Sequence, residues 1–388
     1  TKSDFNSSQV DAFVRRQIID AAADADSVRQ ATALSSYLLN IVNCTLSPNC
    51  SALHRQNCLS TAHTCGSCVS DAYIGEVGDS NEACVSVADF SASRRLLSAS
   101  NAPKSCPGAC SGHGTCVHVV KDSGALITAD MPSCLEGALD CLAVCDCDDD
   151  FYGSDSCDTA TAAFQHSQAN RDRVISGIQS LVGLEDPDQQ VVAGWASSLS
   201  LASQVSSELT SSSRLTVLSL VDTITGAAGG VSVSSETAQG LLSAVSAVAE
   251  ASVKASRRRR VRQMRRGLAD SSGDGARDVE ASDVQSVLNN FGSLLTQSML
   301  PGQGASQFTQ GEFRMSAQVL SAASTTDSTT TVSVPQTALE KALGHPVSRA
   351  SVPAADGVSL VVTSLRSQLF EDKVEKAQSN ALMLYSPT

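Results

Sequence analysis

The chain has 388 residues and a net charge of −13 at pH 7, so it lacks the net positive surface that nucleic-acid binding requires. Aromatic residues make up 4% and charged residues 17% of the chain, while Ser and Ala are abundant. There is no run of 18 apolar residues, so the sequence predicts no membrane-spanning helix. The chain opens at Thr1 without a signal peptide, so we expect a mature product or a piece of a longer protein.

The cysteines divide the chain into two parts. All 14 lie between Cys44 and Cys157, and the last 231 residues have none. An even number of closely spaced cysteines among Gly, Ser and Asp predicts disulfides, and disulfides persist outside the cytosol. The sequence therefore predicts a secreted or cell-surface protein whose first part is held by disulfides and whose second part folds on its own core.

Residues 1–43 are predicted to form an N-terminal helical segment. Apolar residues recur at helical spacing from Val10 to Val42, which predicts two short helices. Such helices cannot bury their apolar stripes alone, so they pack on the rest of the chain or on a neighbouring molecule. Amphipathic faces mostly meet their own core, which favours packing within the chain.

Residues 44–85 form a predicted six-cysteine module. Its cysteines are Cys44, Cys50, Cys58, Cys65, Cys68 and Cys84, and they allow fifteen pairings. The Cys65-Gly-Ser-Cys68 step is also compatible with a redox pair or half of a zinc site, but no second pair of ligands accompanies it, so structural disulfides are favoured. The stretch Thr64–Gly75 resembles the small cysteine-rich modules of plexins, semaphorins and integrins.

Three sequons predict N-linked glycans. They begin at Asn6, Asn43 and Asn49, and each has Ser or Thr two residues later. Residues 86–104, which follow the six-cysteine module, are rich in Ser and Ala and predict a mobile linker.

The next stretch, residues 105–158, carries a more specific pattern. It contains Cys106-Pro-Gly-Ala-Cys110-Ser-Gly-His-Gly-Thr-Cys116 and closes on Cys145-Asp-Cys147 with Phe151-Tyr-Gly153 before Cys157. This pattern resembles an EGF-like module that carries a long insert. The resemblance implies four disulfides: Cys106 with Cys116, Cys110 with Cys145, Cys147 with Cys157 and, within the insert, Cys134 with Cys141.

Four carboxylates near the end of this module, Asp146, Asp148, Asp149 and Asp150, would suit a calcium ion, which takes oxygen ligands. In the calcium-binding members of the EGF-like family, acidic residues come just before the first cysteine. Here that segment is Asn-Ala-Pro-Lys-Ser105, so a solvated acidic turn is favoured. We predict no metal and no cofactor.

Residues 159–300 predict a helical subdomain. Five apolar stripes at helical spacing are separated by breakers such as Pro187 and Gly229-Gly230. Between the fourth and fifth stripes lies a basic segment, 255–281, which we interpret as a disordered loop because like charges repel. It is also a candidate site for a secretory-pathway protease that cuts after paired arginines. The arginines concerned are Arg257, Arg258, Arg259, Arg260, Arg265 and Arg266.

Residues 301–388 predict an antiparallel β subdomain. Its expected strands are Phe313–Leu320, Thr329–Val334, Val358–Leu365 and Ala381–Tyr385, with a short helix around Leu339. Helices followed by antiparallel strands make an α+β arrangement. The predicted fold is therefore an α+β multidomain chain with small disulfide-rich modules.

A helical half followed by strands entering Val332-Ser-Val-Pro335 resembles the helix-plus-β-sandwich regions of the REJ and GAIN families. The resemblance spans Thr159–Thr388 and implies an ectodomain of a polycystin-type protein or adhesion receptor. GAIN domains cut themselves at a cysteine-framed motif. Because no cysteine follows Cys157, self-cleavage is not implied here.

The sequence carries no catalytic pattern. Its six histidines stand outside any nucleophile, metalloprotease or phosphate-loop motif. We therefore expect a non-enzymatic, extracellular structural or adhesive glycoprotein that binds other proteins. If the terminal helices and an incomplete β unit engage the next copy, the chain would build a cell-surface or extracellular fibre. The alternative is the ectodomain of a polycystin-like or adhesion-type receptor that senses ligand or force.

Overall fold

The computed structural model describes residues 7–21, 24–93, 102–121, 123–129, 131–138, 140–231, 233–266, 278–321, 329–344, 346–353, 357–365 and 381–385. Within them, helices and small antiparallel sheets accompany seven disulfides in the first part of the chain. The predicted α+β fold class is confirmed.

The N-terminal segment forms helices α1 (Ser7–Ala21) and α2 (Ala25–Leu39). Asp24 caps α2 by accepting a hydrogen bond from the Ser27 N–H at 2.9 Å. Both helices pack on α4 (Thr161–Leu184), and Val14 and Val28 are part of the main hydrophobic core. Part of the apolar stripe of these helices is thus buried within the chain, whereas Ile19 and Leu34 are exposed.

The six-cysteine module has little regular structure besides the two-residue strands β1 (Tyr73–Ile74) and β2 (Val85–Ser86). Its disulfides are Cys44–Cys58, Cys50–Cys65 and Cys68–Cys84. Because Cys65 and Cys68 bond to different partners, they form neither a redox pair nor half a zinc site.

The predicted linker, 86–104, begins with a helix. Helix α3 (Val87–Ser93) packs on α9 (Ala338–Leu343), and Phe90 is buried. The prediction of a mobile linker is wrong over α3, because Phe90 finds an apolar surface that is distant in sequence. Residues 94–101 lie outside the described residues.

The Cys106–Cys157 module contains a hairpin of β3 (Gly114–Val120) and β4 (Cys141–Cys147), paired in register from Gly114 opposite Cys147 to Val120 opposite Cys141. Gly114 has no room for a side chain, since a Cβ there would lie 2.8 Å from the Cys157 sulfur. Its disulfides are those implied by the EGF-like resemblance: Cys106–Cys116, Cys110–Cys145, Cys147–Cys157 and Cys134–Cys141.

The helical part comprises five helices: α4, α5 (Gln189–Ser203), α6 (Ser211–Ala227), α7 (Ser235–Arg266) and α8 (Ala281–Gln297). Asp188 and Thr210 cap α5 and α6 through their side-chain oxygens. The core between these helices includes Trp195, Leu241 and Phe291, all buried.

The prediction of a disordered loop over 255–281 is wrong for its first part. Helix α7 continues through the arginine run to Arg266, and residues 267–277 lie outside the described residues. The error has a physical cause. The repulsion expected along the run is offset by carboxylates from distant parts of the chain.

The β part contains a four-stranded antiparallel sheet in the order β10-β9-β6-β5. Its strands are β5 (Ser306–Thr309), β6 (Phe313–Val319), β9 (Ser359–Leu365) and β10 (Ala381–Tyr385). A separate hairpin pairs β7 (Thr329–Ser333) with β8 (Arg349–Pro353). The sequence analysis missed the short strands β5 and β8.

Strand β9 joins two cores because its side chains alternate between the faces of the sheet. Val361 and Leu365 belong to the main core, which includes α8, whereas Leu360 and Val362 pack in a second core with Val332 of β7. Gly292 lets α8 lie close to the sheet, because a Cβ there would lie 2.6 Å from the Val361 side chain. The sheet is therefore sandwiched between α8 and the β7–β8 hairpin.

Candidate functional site

The arginine run and the acidic turn, which are far apart in sequence, meet in the structure. The basic end of α7 lies along the Cys106–Cys157 module. Arg258, Arg262 and Arg265 are spaced by four and three residues and therefore share one face of the helix. Arg265 Nη1 lies 2.7 Å from Asp146 Oδ2, and Arg262 pairs with Asp149. We call this contact the arginine clamp.

Three further contacts extend the clamp along the module. The Arg262 guanidinium lies 4.2 Å from the centre of the Tyr152 ring, a cation–π geometry. Arg258 donates a hydrogen bond to the Gly153 carbonyl, and Arg260 donates one to the Ser123 carbonyl. The clamp thus combines charge, backbone and aromatic contacts over both ends of the module.

Not every arginine of the run faces the module. Arg259 pairs with Asp278 at 3.0 Å, just before α8, and buried Arg214 of α6 reaches the same carboxylate at 2.9 Å. Burial lowers the pKa of Arg214, although Asp278 opposes this effect. The side chain of Arg266 lies outside the described residues.

The acidic turn is used within the chain. Asp146 and Asp149 pair with arginines, and Asp148, Asp149 and Asp150 are all exposed. Among the described residues, the grouped side chains with metal-ligand atoms are Cys106, Cys110 and Cys145. Their sulfurs are in disulfides and so cannot act as thiolate ligands.

Lys254, one turn before the clamp, lies where several parts of the chain meet. Its ammonium lies 2.9 Å from Asp155 of the Cys106–Cys157 module and 3.0 Å from Glu250 of its own helix. Burial alone would lower the pKa of Lys254, but these two carboxylates outweigh burial and raise it. Burial likewise favours a higher pKa for Asp155, but Lys254 and Arg258 lower it below its ordinary value. The lysine and Asp155 therefore stay charged as a pair.

The six-cysteine module contributes a second aspartate to this region. Asp79 lines a cavity of about 220 Å³ together with Glu250, Lys254 and Glu312. Burial raises the pKa of Asp79, and a hydrogen bond with Thr61 only partly opposes this. Each disulfide module thus contributes one aspartate to the region around Lys254. The pKa values of these two aspartates are shifted in opposite directions.

A wider cleft of about 770 Å³ separates the six-cysteine module from β6 and α9. Tyr73 and Val77 line one wall, and an ion pair between Arg314 and Glu340, 2.5 Å long, lines the other. The lining of the cleft thus combines aromatic, apolar and charged side chains.

Besides Arg314, three arginines are buried among the described residues, and no local sequence pattern predicted them. Arg55 is 1% exposed and donates to the backbone carbonyls of Gly66, Glu76, Gly78 and Glu82. Arg171 of α4 pairs with Glu208 at 2.7 Å and donates to the Leu39 and Ala202 carbonyls. Arg214 is the third. Buried arginines are rare and, when buried, are usually paired.

Histidines of the disulfide part make packing and hydrogen-bond contacts. The His113 ring stacks on Phe151 with centroids 3.7 Å apart, and His54 stacks on Tyr73 at 4.5 Å. The His118 Nε2 lies 2.8 Å from the Lys104 carbonyl, and His63 is buried. None of these contacts pairs a histidine with a serine or cysteine nucleophile.

Two of the three predicted glycosylation sites lie on the surface of the six-cysteine module. Asn43 and Asn49 are both exposed. The Asn43 Oδ1 accepts hydrogen bonds from the Thr45 N–H at 3.1 Å and from the Thr45 hydroxyl at 2.8 Å. Asn6 lies outside the described residues.

Among the helices that the structure describes, none combines the length and the apolar composition that a membrane span requires. The seven disulfides leave no free cysteine, which fits an extracellular or secreted protein. A scan against protein-family models finds no match to this chain. A search of the curated proteins finds none that is significantly similar.

Proposed function

We propose that this chain is a non-enzymatic, extracellular structural or adhesive glycoprotein that acts through contacts with other proteins. The observation that carries the proposal is that all fourteen cysteines are paired in two small modules, which are held against a cysteine-free helical and β body. Such modules have almost no apolar core of their own, and their shape depends on disulfides.

The docking of the modules supports a structural role. The arginine clamp, the Lys254–Asp155 pair and the buried Lys104–Glu76 pair at 3.3 Å all join segments that are distant in sequence. Several such contacts act together on the same surfaces, so the parts keep one relative orientation. A protein that presents surfaces to partners binds them more tightly when it is preorganised in this way, because less conformational entropy is lost on binding.

Exposed apolar side chains on the outer faces of α1 and α2 are candidate contacts with a protein partner. Tyr37 is 68% exposed and Leu34, one turn earlier on α2, is 44% exposed, while Ile19 of α1 is 66% exposed. Apolar residues gathered on exposed surface often mark interaction sites. We propose that copies of the chain meet through this face or through the sheet edges at β5 and β10.

The proposal is tested by self-association of protein purified from a secretory host. We expect sedimentation velocity to show a species larger than the monomer as concentration rises, and electron microscopy to show linear contacts between copies. Replacing Leu34 and Tyr37 with Ser should weaken this association. Leu300→Ser is the matched control, because Leu300 is 72% exposed but lies beyond the helical part. Isolated monomers at every concentration would contradict the proposal that the chain self-associates.

The compartment is tested separately by alkylation of native, unreduced protein. We expect no labelled cysteine, and reduction should then expose all fourteen thiols. Labelling of many thiols before reduction would contradict an extracellular protein held by disulfides.

A second candidate function is that of a receptor ectodomain that senses ligand or force. The observation that favours it is that every disulfide lies within residues 44–157, so no covalent bond besides the chain itself ties the modules to the helical body. A pulling force would therefore be resisted between the modules and the helical body by non-covalent contacts, the arginine clamp among them. The natural transcript discriminates, since membrane-spanning segments encoded after Thr388 would favour the receptor.

A further inference from the structure

A cavity of about 260 Å³ lies where five parts of the chain meet. Its walls come from the end of α2, from both disulfide modules, from the start of α4 and from the turn after α5. Pockets that bury drug-sized ligands span about 300–1,000 Å³, so this cavity is suited to something as small as one sugar ring.

Asn43, the acceptor of one predicted glycan, lines this cavity. Its Oδ1 is held by the two hydrogen bonds from Thr45, and its Nδ2 makes no hydrogen bond with any residue that the structure describes. The Nδ2 is the atom to which an N-linked glycan is attached. The first sugar of a glycan at this position would therefore start at the cavity wall.

The wall has the chemistry of a sugar subsite. Asp158 Oδ1 accepts hydrogen bonds from the hydroxyls of Ser154 at 2.6 Å, Ser156 at 3.0 Å and Thr159 at 3.2 Å. The other carboxylate oxygen of Asp158 accepts no hydrogen bond within the described part of the chain. Carboxylates and hydroxyls match the donors and acceptors of a sugar.

The rest of the lining complements the other face of a sugar ring. Leu39 and Phe164 supply apolar surface, while Ser60, Thr61 and Ser207 supply further hydroxyls. Phe164 is held in place against Gly153, where a Cβ would lie 2.5 Å from the ring. An aromatic face beside carboxylates and hydroxyls can receive the apolar and polar sides of one ring.

Asn49 provides an internal comparison. It belongs to the same module and is exposed, but it does not line the cavity. Its Oδ1 accepts a hydrogen bond from the Ala52 N–H at 3.3 Å. A glycan on Asn49 would therefore extend into solvent.

We propose that the first N-acetylglucosamine of an N-glycan on Asn43 occupies this cavity and stabilises the junction between the disulfide modules and the helices. This inference rests on the proposed function as an extracellular glycoprotein. The glycan acts as an intramolecular ligand, because its attachment holds the sugar at the cavity whenever the chain is folded.

The test uses the whole protein, secreted from a host that adds high-mannose glycans, with site occupancy read by peptide mass spectrometry. One sample is trimmed natively with an endoglycosidase that leaves a single N-acetylglucosamine. A second is treated with an amidase that removes the whole glycan. We expect the trimmed protein to keep its Tm, and loss of the Asn43 sugar to lower it by about 2–4 °C. We also expect the amidase to release the Asn43 glycan more slowly than the Asn49 glycan.

Variants separate the sugar from the side chains. Thr45→Ser keeps the sequon and should keep the Tm, Thr45→Ala removes the glycan and should lower it, and Asn49→Gln should leave it unchanged. An Asn43 glycan that is released as fast as the Asn49 glycan, with no loss of Tm, would overturn the inference while leaving the glycoprotein proposal standing. Absence of glycan from Asn43 alone would overturn the inference, and absence of glycan from Asn6, Asn43 and Asn49 would overturn the glycoprotein proposal with it.

Discussion

The two disulfide modules share one connectivity. In the six-cysteine module, and among the six cysteines of the Cys106–Cys157 module outside its insert, the first cysteine bonds to the third, the second to the fourth and the fifth to the sixth. Their backbones are nevertheless satisfied in different ways. The later module has a hairpin of seven residue pairs, whereas the earlier one has only two such pairs and surrounds the guanidinium of Arg55 with loop carbonyls.

The difference teaches that a disulfide pattern fixes which segments meet but not how their buried backbone groups are satisfied. Each buried carbonyl needs a donor. Strand pairing supplies many of the donors in the Cys106–Cys157 module. In the six-cysteine module, Arg55 supplies the donors for four loop carbonyls, beside scattered backbone hydrogen bonds such as that from the Gln56 N–H to the Ser67 carbonyl. A substitution of Arg55 and a change in the hairpin should therefore act on different modules.

The largest effect is expected from Arg55→Met. The apolar side chain fills similar space but leaves four carbonyls without their donor, and we expect a loss of at least about 3 kcal/mol of stability. Hydrogen exchange should rise in residues 50–84 and stay unchanged in the β3–β4 hairpin. Arg16→Met is the control, because Arg16 is exposed and pairs only with neighbouring Asp20. Equal exchange in both modules would contradict this role of Arg55.

Removing disulfides from the Cys106–Cys157 module should follow loop length. Cys110–Cys145 closes a separation of 35 residues and Cys134–Cys141 one of 7. We expect the variant in which Cys110 and Cys145 are replaced with Ala to lose about 1.4 kcal/mol more stability than the variant in which Cys134 and Cys141 are replaced, because of the difference in loop-closure entropy. Denaturant unfolding of the two variants measures the difference. Equal losses would mean that the shorter bridge has a role beyond closing its loop.

The two aspartates near Lys254 should respond to pH with opposite signs. Because the pKa of Asp155 is lowered, its ionised form adds stability at neutral pH that is lost as pH falls through that pKa. Because the pKa of Asp79 is raised, its ionisation removes stability as pH rises through that pKa.

Asp155→Asn should therefore lower the Tm at pH 7, and Asp79→Asn should raise it. Both differences from the wild type should shrink as the pH falls, the Asp79 difference first, because the pKa of Asp79 is raised and that of Asp155 is lowered. Thermal melts from pH 3 to pH 8 measure this. Changes in Tm of the same sign at pH 7 would contradict opposite pKa shifts of the two aspartates.

The smallest effect is expected at the arginine clamp. Arg262→Met removes one partly exposed ion pair and one cation–π contact, together worth about 0.5–1 kcal/mol. The loss should diminish as salt is added, because salt screens exposed charges. Arg259→Met serves as the control, since Arg259 contacts Asp278 and not the module. If docking on the module protects the arginine run, a protease that cuts after arginine should also cleave this run faster in the Arg262→Met variant than in the wild type.

Sequence reasoning predicted much of the fold because much of it is encoded locally. The strand Ala381–Tyr385 was predicted with its observed bounds, and the breakers Pro187 and Gly229 fall between observed helices. The candidate site was harder. The arginines and the aspartates were each identified as charged segments, but their pairing required knowing that Arg262 and Asp149 lie side by side.

The sequence by itself determined the α+β fold class with disulfide-rich modules. The signals were an even number of cysteines confined to one region, a change to helical periodicity and then a change to alternation. These signals are local, and they depend only on the spacing of residue types along the chain. The tertiary structure decided that Arg55 is a core residue, that the arginine run is helical and that Val14 and Val28 of the N-terminal helices pack into the main core. Each depends on groups more than ten residues away, and only the folded chain brings such groups within hydrogen-bonding and packing distance.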